Sequence, residues 1–153
     1  MTPDTEHGSR AATRTRGTVL LLSVLSILAV GSATLAATDG FYTRGQASGG
    51  VSVYASFCAR CHGATLQGET APPLVGRSFE RSLTSKKTTA QQLYDYIALH
   101  MPGNTPGFLT ETQYIQVLAF LLSANGYQPG PTELTKDTLA NVELLPYPGR
   151  KSR

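Results

Sequence analysis

The sequence predicts an all-α protein whose folded part is one modest domain. Apolar residues recur at steps of three and four in several segments, which is typical of helices packed on a core. No segment shows the period-two alternation of a half-buried strand. The length of 153 residues suits a single core, and the net charge of +3 comes from scattered residues. The chain therefore lacks the basic stripe expected of a nucleic-acid-binding protein.

Residues 1–37 predict an export signal. The segment begins with several arginines, continues with an apolar run over residues 19–30 and ends with small residues over 31–37. Cleavage is expected after Ala36, although residues 18–37 are also nearly long enough to span a bilayer as an uncleaved anchor. In both forms the remainder of the chain is expected in the periplasm or elsewhere outside the cytoplasm.

The segment that follows predicts a linker and then the start of the domain. Residues 38–49 are rich in Gly and Ser, a composition typical of flexible connections. The domain is expected to span residues 50–126, with regular structure from about Val51. Apolar residues at helical spacing from Val53 onward predict a first short helix that runs into Cys61.

A loop and a second helix are expected next. Residues 63–76 contain too much Gly and Pro for a helix and lack strand alternation, so they predict a loop, either ordered or flexible. Thr88 or Thr89 can cap a second helix, whose apolar face includes Leu93. This helix must end before Pro102, because a proline disfavours helical geometry in the residue before it.

The clearest predicted element is the last helix, over residues 109–124. Thr110 and Gln113 form the sequence pattern of a capping box at its start, and Gly126 is a stop signal at its end. Residues 127–153 form a C-terminal extension outside the domain. Within the extension, a short helical turn is expected in residues 137–145, and the chain end from Pro146 is expected to be frayed.

The residues that carry chemistry are Cys58, Cys61 and His62, which form a C-x-x-C-H array. Side chains three residues apart share a helix face, so the two thiols can form thioethers to the two vinyl groups of one porphyrin. The imidazole that follows can then reach the iron. The array predicts one covalently attached haem c, with His62 as an axial ligand.

Three other uses of these residues are a disulfide, a zinc site and a pair of free buried thiols. A short-loop disulfide between Cys58 and Cys61 normally needs a strand–helix context, which the sequence does not predict. A zinc site would need a fourth ligand besides Cys58, Cys61 and His62. Of the two other histidines, His7 lies in the export segment, which leaves only His100. Free buried thiols are not expected at this spacing in an oxidising compartment. Haem attachment is favoured over all three.

An electron-transfer haem needs a second axial ligand, and Met101 is the best candidate. It is the only methionine besides the initiator, and it lies on a turn that continues with Pro102 and Gly103. His100 is the rival ligand, and its use would lower the reduction potential relative to a His/Met pair. The sequence therefore predicts His62 and Met101 on the iron.

Over residues 49–126 the chain resembles the class I c-type cytochromes. Three motifs carry the resemblance: the attachment motif at residues 58–63, a Pro-x-Leu-x-Gly loop at 71–76 and a methionine loop at 101–103. More narrowly, the first and last helices look like those of the small cytochrome subunits and domains that accompany quinoprotein dehydrogenases. The chain departs from the family's pattern in having no Trp between the Pro-x-Leu-x-Gly loop and the second helix, where Phe79 can take its place.

The resemblance implies a cytochrome c fold with three main helices around the haem. It implies that the carbonyl of Pro72 accepts a hydrogen bond from His62 Nδ1, or that of Pro73 if the register shifts by one. It places Gly50 and Tyr114 near the crossing of the first and last helices. The implied walls of the haem pocket are apolar or aromatic residues: Phe57, Leu74, Val75, Phe79, Tyr96, Ile97, Phe108 and Leu121.

These observations predict an exported monohaem cytochrome that carries single electrons and makes no bond in a substrate. Its partners would be a redox protein donor and acceptor, with no role for nucleic acid. One alternative is a dedicated haem subunit of a periplasmic dehydrogenase, such as a quinoprotein dehydrogenase, or of a terminal oxidase complex. An alternative of another class is a haem enzyme or gas sensor with an open iron site, which requires that Met101 does not bind iron.

Overall fold

Helices make up the regular structure of residues 40–148, the part of the chain that this computed structural model describes. In that part no strand is present, which confirms the all-α prediction. The export signal predicted for residues 1–37 and the chain end beyond residue 148 lie outside the described residues. The five helices are α1 (Arg44–Phe57), α2 (Ala59–His62), α3 (Gly76–Lys86), α4 (Ala90–His100) and α5 (Glu111–Ala124), followed by a 3-10 turn at Leu139–Asn141. None of the described helices is long and apolar enough to cross a membrane.

Helices α1, α4 and α5, which pack on one another in the core, begin in the same way. In each, a threonine side chain accepts a hydrogen bond from the backbone N–H three residues later, and the glutamine there reaches back to the threonine N–H. The pairs are Thr43 with Gln46, Thr89 with Gln92, and Thr110 with Gln113. The last two confirm the predicted starts of the second and final helices, whereas the first was not predicted.

The linker prediction is wrong for residues 44–49, because α1 begins at Arg44 and is helical through them. The small residues of this segment let α1 lie close to α5. A Cβ atom added to Gly50 would lie 2.0 Å from the carbonyl oxygen of Gln116 in α5, so only glycine fits there. The Gly/Ser composition therefore reflects close packing of two helices and not flexibility.

Helix α5 is the centre of the core, with α1 and α4 packed on it. Val117, Leu118 and Leu122 of α5 are almost completely buried. Gly50 lies at the contact of the first and last helices, as the resemblance implied. Tyr114, in the first turn of α5, contacts Tyr94 of α4, with ring centroids 6.4 Å apart.

Helix α3 was not predicted, since residues 76–86 offer only two buried apolar side chains. Phe79 and Leu83 lie one helical turn apart and face the core, and most of the remaining residues are polar. The helix ends at Lys87, whose backbone is left-handed with φ of 50° and whose N–H bonds the carbonyl of Leu83. So sparse an apolar stripe predicts a helix only weakly.

The C-terminal extension packs on the domain as far as residue 148. Leu134 is buried, and both its backbone N–H and its carbonyl bond the Gln46 side chain, at 2.9 and 2.6 Å. The 3-10 turn confirms the helical turn predicted within residues 137–145. The frayed end predicted from Pro146 is wrong at Tyr147, which is 9% exposed. Burial of its ring on the domain outweighs the chain-end position.

Candidate functional site

Cys58 and Cys61 lie on a single helical turn at the end of α1, here called the cysteine turn, and His62 follows directly. Cys58 caps α1, and its carbonyl accepts the N–H groups of Cys61 and His62 at 3.1 and 3.0 Å. No disulfide joins the two cysteines, of which Cys61 is exposed and Cys58 is half-buried. Burial, and to a lesser degree the neighbouring Cys61, raises the pKa of the Cys58 thiol to about 11. Because the two sulfur atoms share one turn and form no disulfide, both can bond to one ligand.

His62 is held in one tautomer. Its side chain is buried, and Nδ1 lies 2.8 Å from the carbonyl oxygen of Pro72. Because a carbonyl can only accept, Nδ1 must carry the proton and donate, which leaves a lone pair on Nε2. No described residue bonds to Nε2. The structure places Pro72, and not Pro73, against the imidazole.

Residues 63–75, here called the proline loop, are ordered by backbone hydrogen bonds. The carbonyl of Cys61 accepts the N–H groups of Glu69 and Ala71, at 3.2 and 3.0 Å. Farther along, the N–H of Leu74 donates to the carbonyl of Leu66 at 2.9 Å. These bonds close the loop on itself next to the cysteine turn. Of the two predicted alternatives, an ordered or a flexible loop, the structure therefore confirms the ordered one.

Two side chains from the helices hold the proline loop, and sequence reasoning missed both. The hydroxyl of Tyr54 in α1 donates to the carbonyl of Gly63 at 2.6 Å. Asn125, which caps α5, donates from Nδ2 to the carbonyl of Leu74 at 2.9 Å. Neither residue has a local signal for this role. The sequence around Asn125 predicts only the end of a helix, and the spacing of Tyr54 predicts only a place on the apolar face of a helix.

The two rivals for the second axial position differ in their surroundings. Met101 caps α4, is half-buried against the core, and has its carbonyl bonded by the Tyr114 hydroxyl at 2.8 Å. His100 is exposed at the last position of α4, with its ring 4.8 Å from that of Tyr96. The methionine therefore lies at the edge of the apolar interior, whereas the histidine lies on the surface.

The residues expected to line the pocket fall into two groups. Phe79, Ile97 and Leu121 are buried, with Leu74 and Val75 half-buried beside them. Phe57, Tyr96 and Phe108 are instead exposed, by 38%, 55% and 66%. The rings of Phe57 and Phe108 contact each other at 6.0 Å, and Phe57 directly precedes the cysteine turn. Large exposed aromatic rings are unusual and point to an apolar binding surface beside the thiols.

This combination of groups fits a covalently bound haem. Two thiols on one helical turn, a histidine with a free Nε2 and an adjacent aromatic pair supply the attachment points, an iron ligand and an apolar contact. For the zinc alternative, residues 40–148 contain no group of three or more His, Cys, Asp or Glu arranged to hold a metal ion.

Comparison with known proteins agrees with this site. The sequence model of the family "Cytochrome C oxidase, cbb3-type, subunit III" matches residues 45–121. Among solved structures, the chain is similar to one in the crystal structure of the sulfane dehydrogenase SoxCD from Paracoccus pantotrophus, with 25% identity and a TM-score of 0.52. The match covers 76% of this chain and 66% of that one, just under two thirds. No curated protein matches the sequence.

Proposed function

Since the chain belongs to the family of the cbb3-type cytochrome c oxidase subunit III, we propose that it is an exported monohaem cytochrome with iron bound by His62 and Met101. The coarser part follows from the family: the chain binds haem c covalently and acts in electron transfer, as a carrier or a subunit of an oxidoreductase complex. Cys58 and Cys61 stand at the attachment positions. When bound, haem c supplies one-electron cycling between Fe(III) and Fe(II).

The observation that carries the proposal is the hydrogen bond between His62 Nδ1 and the carbonyl of Pro72. It fixes the ring orientation and the tautomer, and it makes the imidazole a stronger ligand through Nε2. The fold thus orients His62 as an axial ligand independently of the oxidation state of the iron.

Support for Met101 as the second ligand comes from its position. Met101 lies where α4 ends. Its N–H donates to the carbonyl of Ile97 at 2.9 Å, and its carbonyl accepts a hydrogen bond from the hydroxyl of Tyr114. The backbone of the residue is therefore fixed on both sides. A thioether ligand favours Fe(II), so we propose a positive reduction potential.

Export is supported by the sequence of residues 1–37 and by the chemistry of the site. The first 37 residues carry the arginines, apolar run and small residues of an export signal. Two free thiols on one turn would be oxidised outside the cytoplasm unless they were joined to a partner. Thioether attachment provides that partner, so the proposed location and the proposed cofactor are mutually consistent.

Intact mass and a visible spectrum on the full chain, matured in a periplasm, test the attachment. We expect a mass gain of one haem, no pigment extracted by acidified solvent, and loss of the N-terminal segment if it is cleaved. The variant with Cys58→Ala and Cys61→Ala is the control, because it keeps His62 but cannot form thioethers. A wild-type protein that gains no mass would overturn the proposal.

A matched pair of adjacent variants tests the second ligand. Met101→Ala should abolish the weak red absorption band typical of an oxidised His/Met haem and allow rapid binding of carbon monoxide by the reduced protein. His100→Ala should leave both properties unchanged. The opposite pattern would make His100 the ligand, and rapid carbon monoxide binding by the wild type would favour an enzyme or gas sensor.

A second candidate function is that of a dedicated subunit of a larger complex. The matched family is described as an oxidase subunit, and the similar solved structure is that of a dehydrogenase. We propose a redox protein, such as a dehydrogenase or a terminal oxidase, as the donor or acceptor. Purification from the native membrane and soluble fractions after mild cross-linking distinguishes the two: a stoichiometric large partner indicates a subunit, and a monomeric cytochrome indicates a free carrier.

A further inference from the structure

Asn125 connects the C-terminal extension to the proline loop. Its Nδ2 donates to the carbonyls of Leu74 and Leu121, at 2.9 and 2.8 Å, and its Oδ1 accepts from the hydroxyl of Tyr147. The side chain is buried, with 6% of its surface exposed. Reversing the amide would set its oxygen against two carbonyl oxygens, so all three bonds hold it in one orientation.

The loop bond made by Asn125 lies two residues from the carbonyl that bonds His62. Leu74 has both backbone groups engaged, its carbonyl by Asn125 and its N–H by the carbonyl of Leu66. On the other side, the N–H of Ala71 bonds the carbonyl of Cys61 at 3.0 Å. The residues between these two anchors are prolines, which have no N–H to form a bond of their own. The two anchors therefore determine where the Pro72 carbonyl points.

We propose that Tyr147 is a positioning residue that acts through Asn125 on the hydrogen bond between Pro72 and His62, and so sets the reduction potential. The inference rests on the proposed role of His62 as an axial ligand. A well-aligned carbonyl makes the imidazole more basic, and a more basic ligand favours oxidised iron. Loosening this alignment therefore raises the potential. The C-terminal extension thus acts on the site without touching it.

Tyr147→Phe in the haem-loaded protein tests the proposal, because it keeps the ring and removes the hydroxyl bound to Asn125. We expect a higher midpoint potential and faster solvent exchange of the His62 Nδ1 proton, measured by NMR in the reduced state. Tyr127→Phe is the matched control. It removes another buried hydroxyl of the extension, which donates to the carbonyl of Leu144 at 2.5 Å, and keeps the ring that packs on Tyr147. It should lower the melting temperature but leave the potential unchanged.

A second set of variants keeps the test decisive if Tyr147→Phe does not fold. Asn125→Ala combined with Tyr147→Phe removes both polar partners, so no buried amide is left unpaired. This double variant and Asn125→Ala alone should have the same raised potential, because Tyr147 acts through Asn125. A potential that differs between the double variant and Asn125→Ala alone would contradict the proposed route.

The outcomes separate this inference from the function on which it rests. A wild-type protein whose haem is not ligated by His62 overturns the proposed function itself. A normally ligated Tyr147→Phe protein with unchanged potential and unchanged proton exchange overturns only the role of Tyr147. A lower melting temperature alone, equal to that of Tyr127→Phe, would show that Tyr147 merely stabilises the extension and would likewise refute the inference.

Discussion

The hydroxyl of Tyr114 donates to the backbone carbonyl of Met101 at 2.8 Å, across 13 positions of the chain. Tyr114 lies in the first turn of α5 and is 4% exposed. Asn125, at the other end of the same helix, bonds the proline loop. A single helix thus bonds both the residue proposed as the second iron ligand and the loop whose Pro72 carbonyl bonds His62.

Tyr114→Phe should loosen the turn that carries Met101. The variant leaves the Met101 carbonyl without this donor, so we expect the free energy of unfolding to fall by about 1 kcal/mol. We also expect faster carbon monoxide binding by the reduced protein, since the turn can open more easily. Tyr96→Phe, at an exposed tyrosine of α4, is the control and should change neither quantity. Equal behaviour of the two variants would show that the Tyr114 bond does not restrain the turn.

Gly50→Ala should destabilise the contact between α1 and α5. The added Cβ would lie 2.0 Å from a backbone oxygen of Gln116, which cannot rotate away, so the helices must separate. A loss of about 3 kcal/mol is expected from such overpacking. Gly45→Ala in the same helix meets its nearest atom at 3.7 Å and should be neutral or stabilising by up to about 1 kcal/mol. Denaturant unfolding of both variants measures the difference.

Gln46→Glu should detach the extension from α1. The carboxylate can no longer donate to the carbonyl of Leu134, which accepts from Gln46 at 2.6 Å, and instead repels it. We expect a loss of about 2 kcal/mol and faster proteolysis within residues 127–148. Gln92→Glu changes the same position of the α4 capping box, where the side chain bonds only its own N-cap, and should be close to neutral. Matching losses in both variants would mean that the helix cap, and not the tie to Leu134, was damaged.

Alkaline pH should weaken the fold through its buried tyrosines. Burial raises the pKa of Tyr54 to about 12, with smaller contributions from Cys58 and Glu69, and burial likewise raises the pKa of Tyr127. The unfolded chain loses these protons near pH 10, whereas the folded chain retains them, so stability is full below about pH 10 and falls as the pH rises toward 12. Urea midpoints across this range measure the slope. Tyr127→Phe should make it shallower, and an unchanged slope would contradict this account.

Local signals explain which elements could be predicted. The starts of α4 and α5 are encoded by Thr89 and Thr110 with their glutamines, and the sequence identifies both. The same signal at Thr43 was obscured by the Gly/Ser composition behind it, because that composition reads as flexible until a close helix partner is known. Helix α3 lacked a strong signal, since two buried side chains over three turns form too narrow a stripe.

The residues of the site likewise divide into those that the sequence predicts and those that only the tertiary structure reveals. The cysteine turn and His62 form a contiguous motif, and the resemblance located Pro72. The contacts that hold them are distant in sequence: Asn125 to Leu74 spans 51 positions, and Tyr147 to Asn125 spans 22. Nothing in the residues around Tyr147 indicates that the extension folds back onto the domain. Such contacts exist only once the tertiary structure brings them together.

The three capping boxes have a consequence for tolerance of acid. Each uses glutamine where a capping box also accommodates glutamate, so the side chain that bonds the N-cap has no proton to gain. A glutamate cap weakens when its carboxylate is protonated, near pH 4, whereas an amide cap does not. The chain thereby gives up the attraction between a carboxylate and the helix dipole. In return, the starts of α1, α4 and α5 stay capped when the surrounding medium turns acidic.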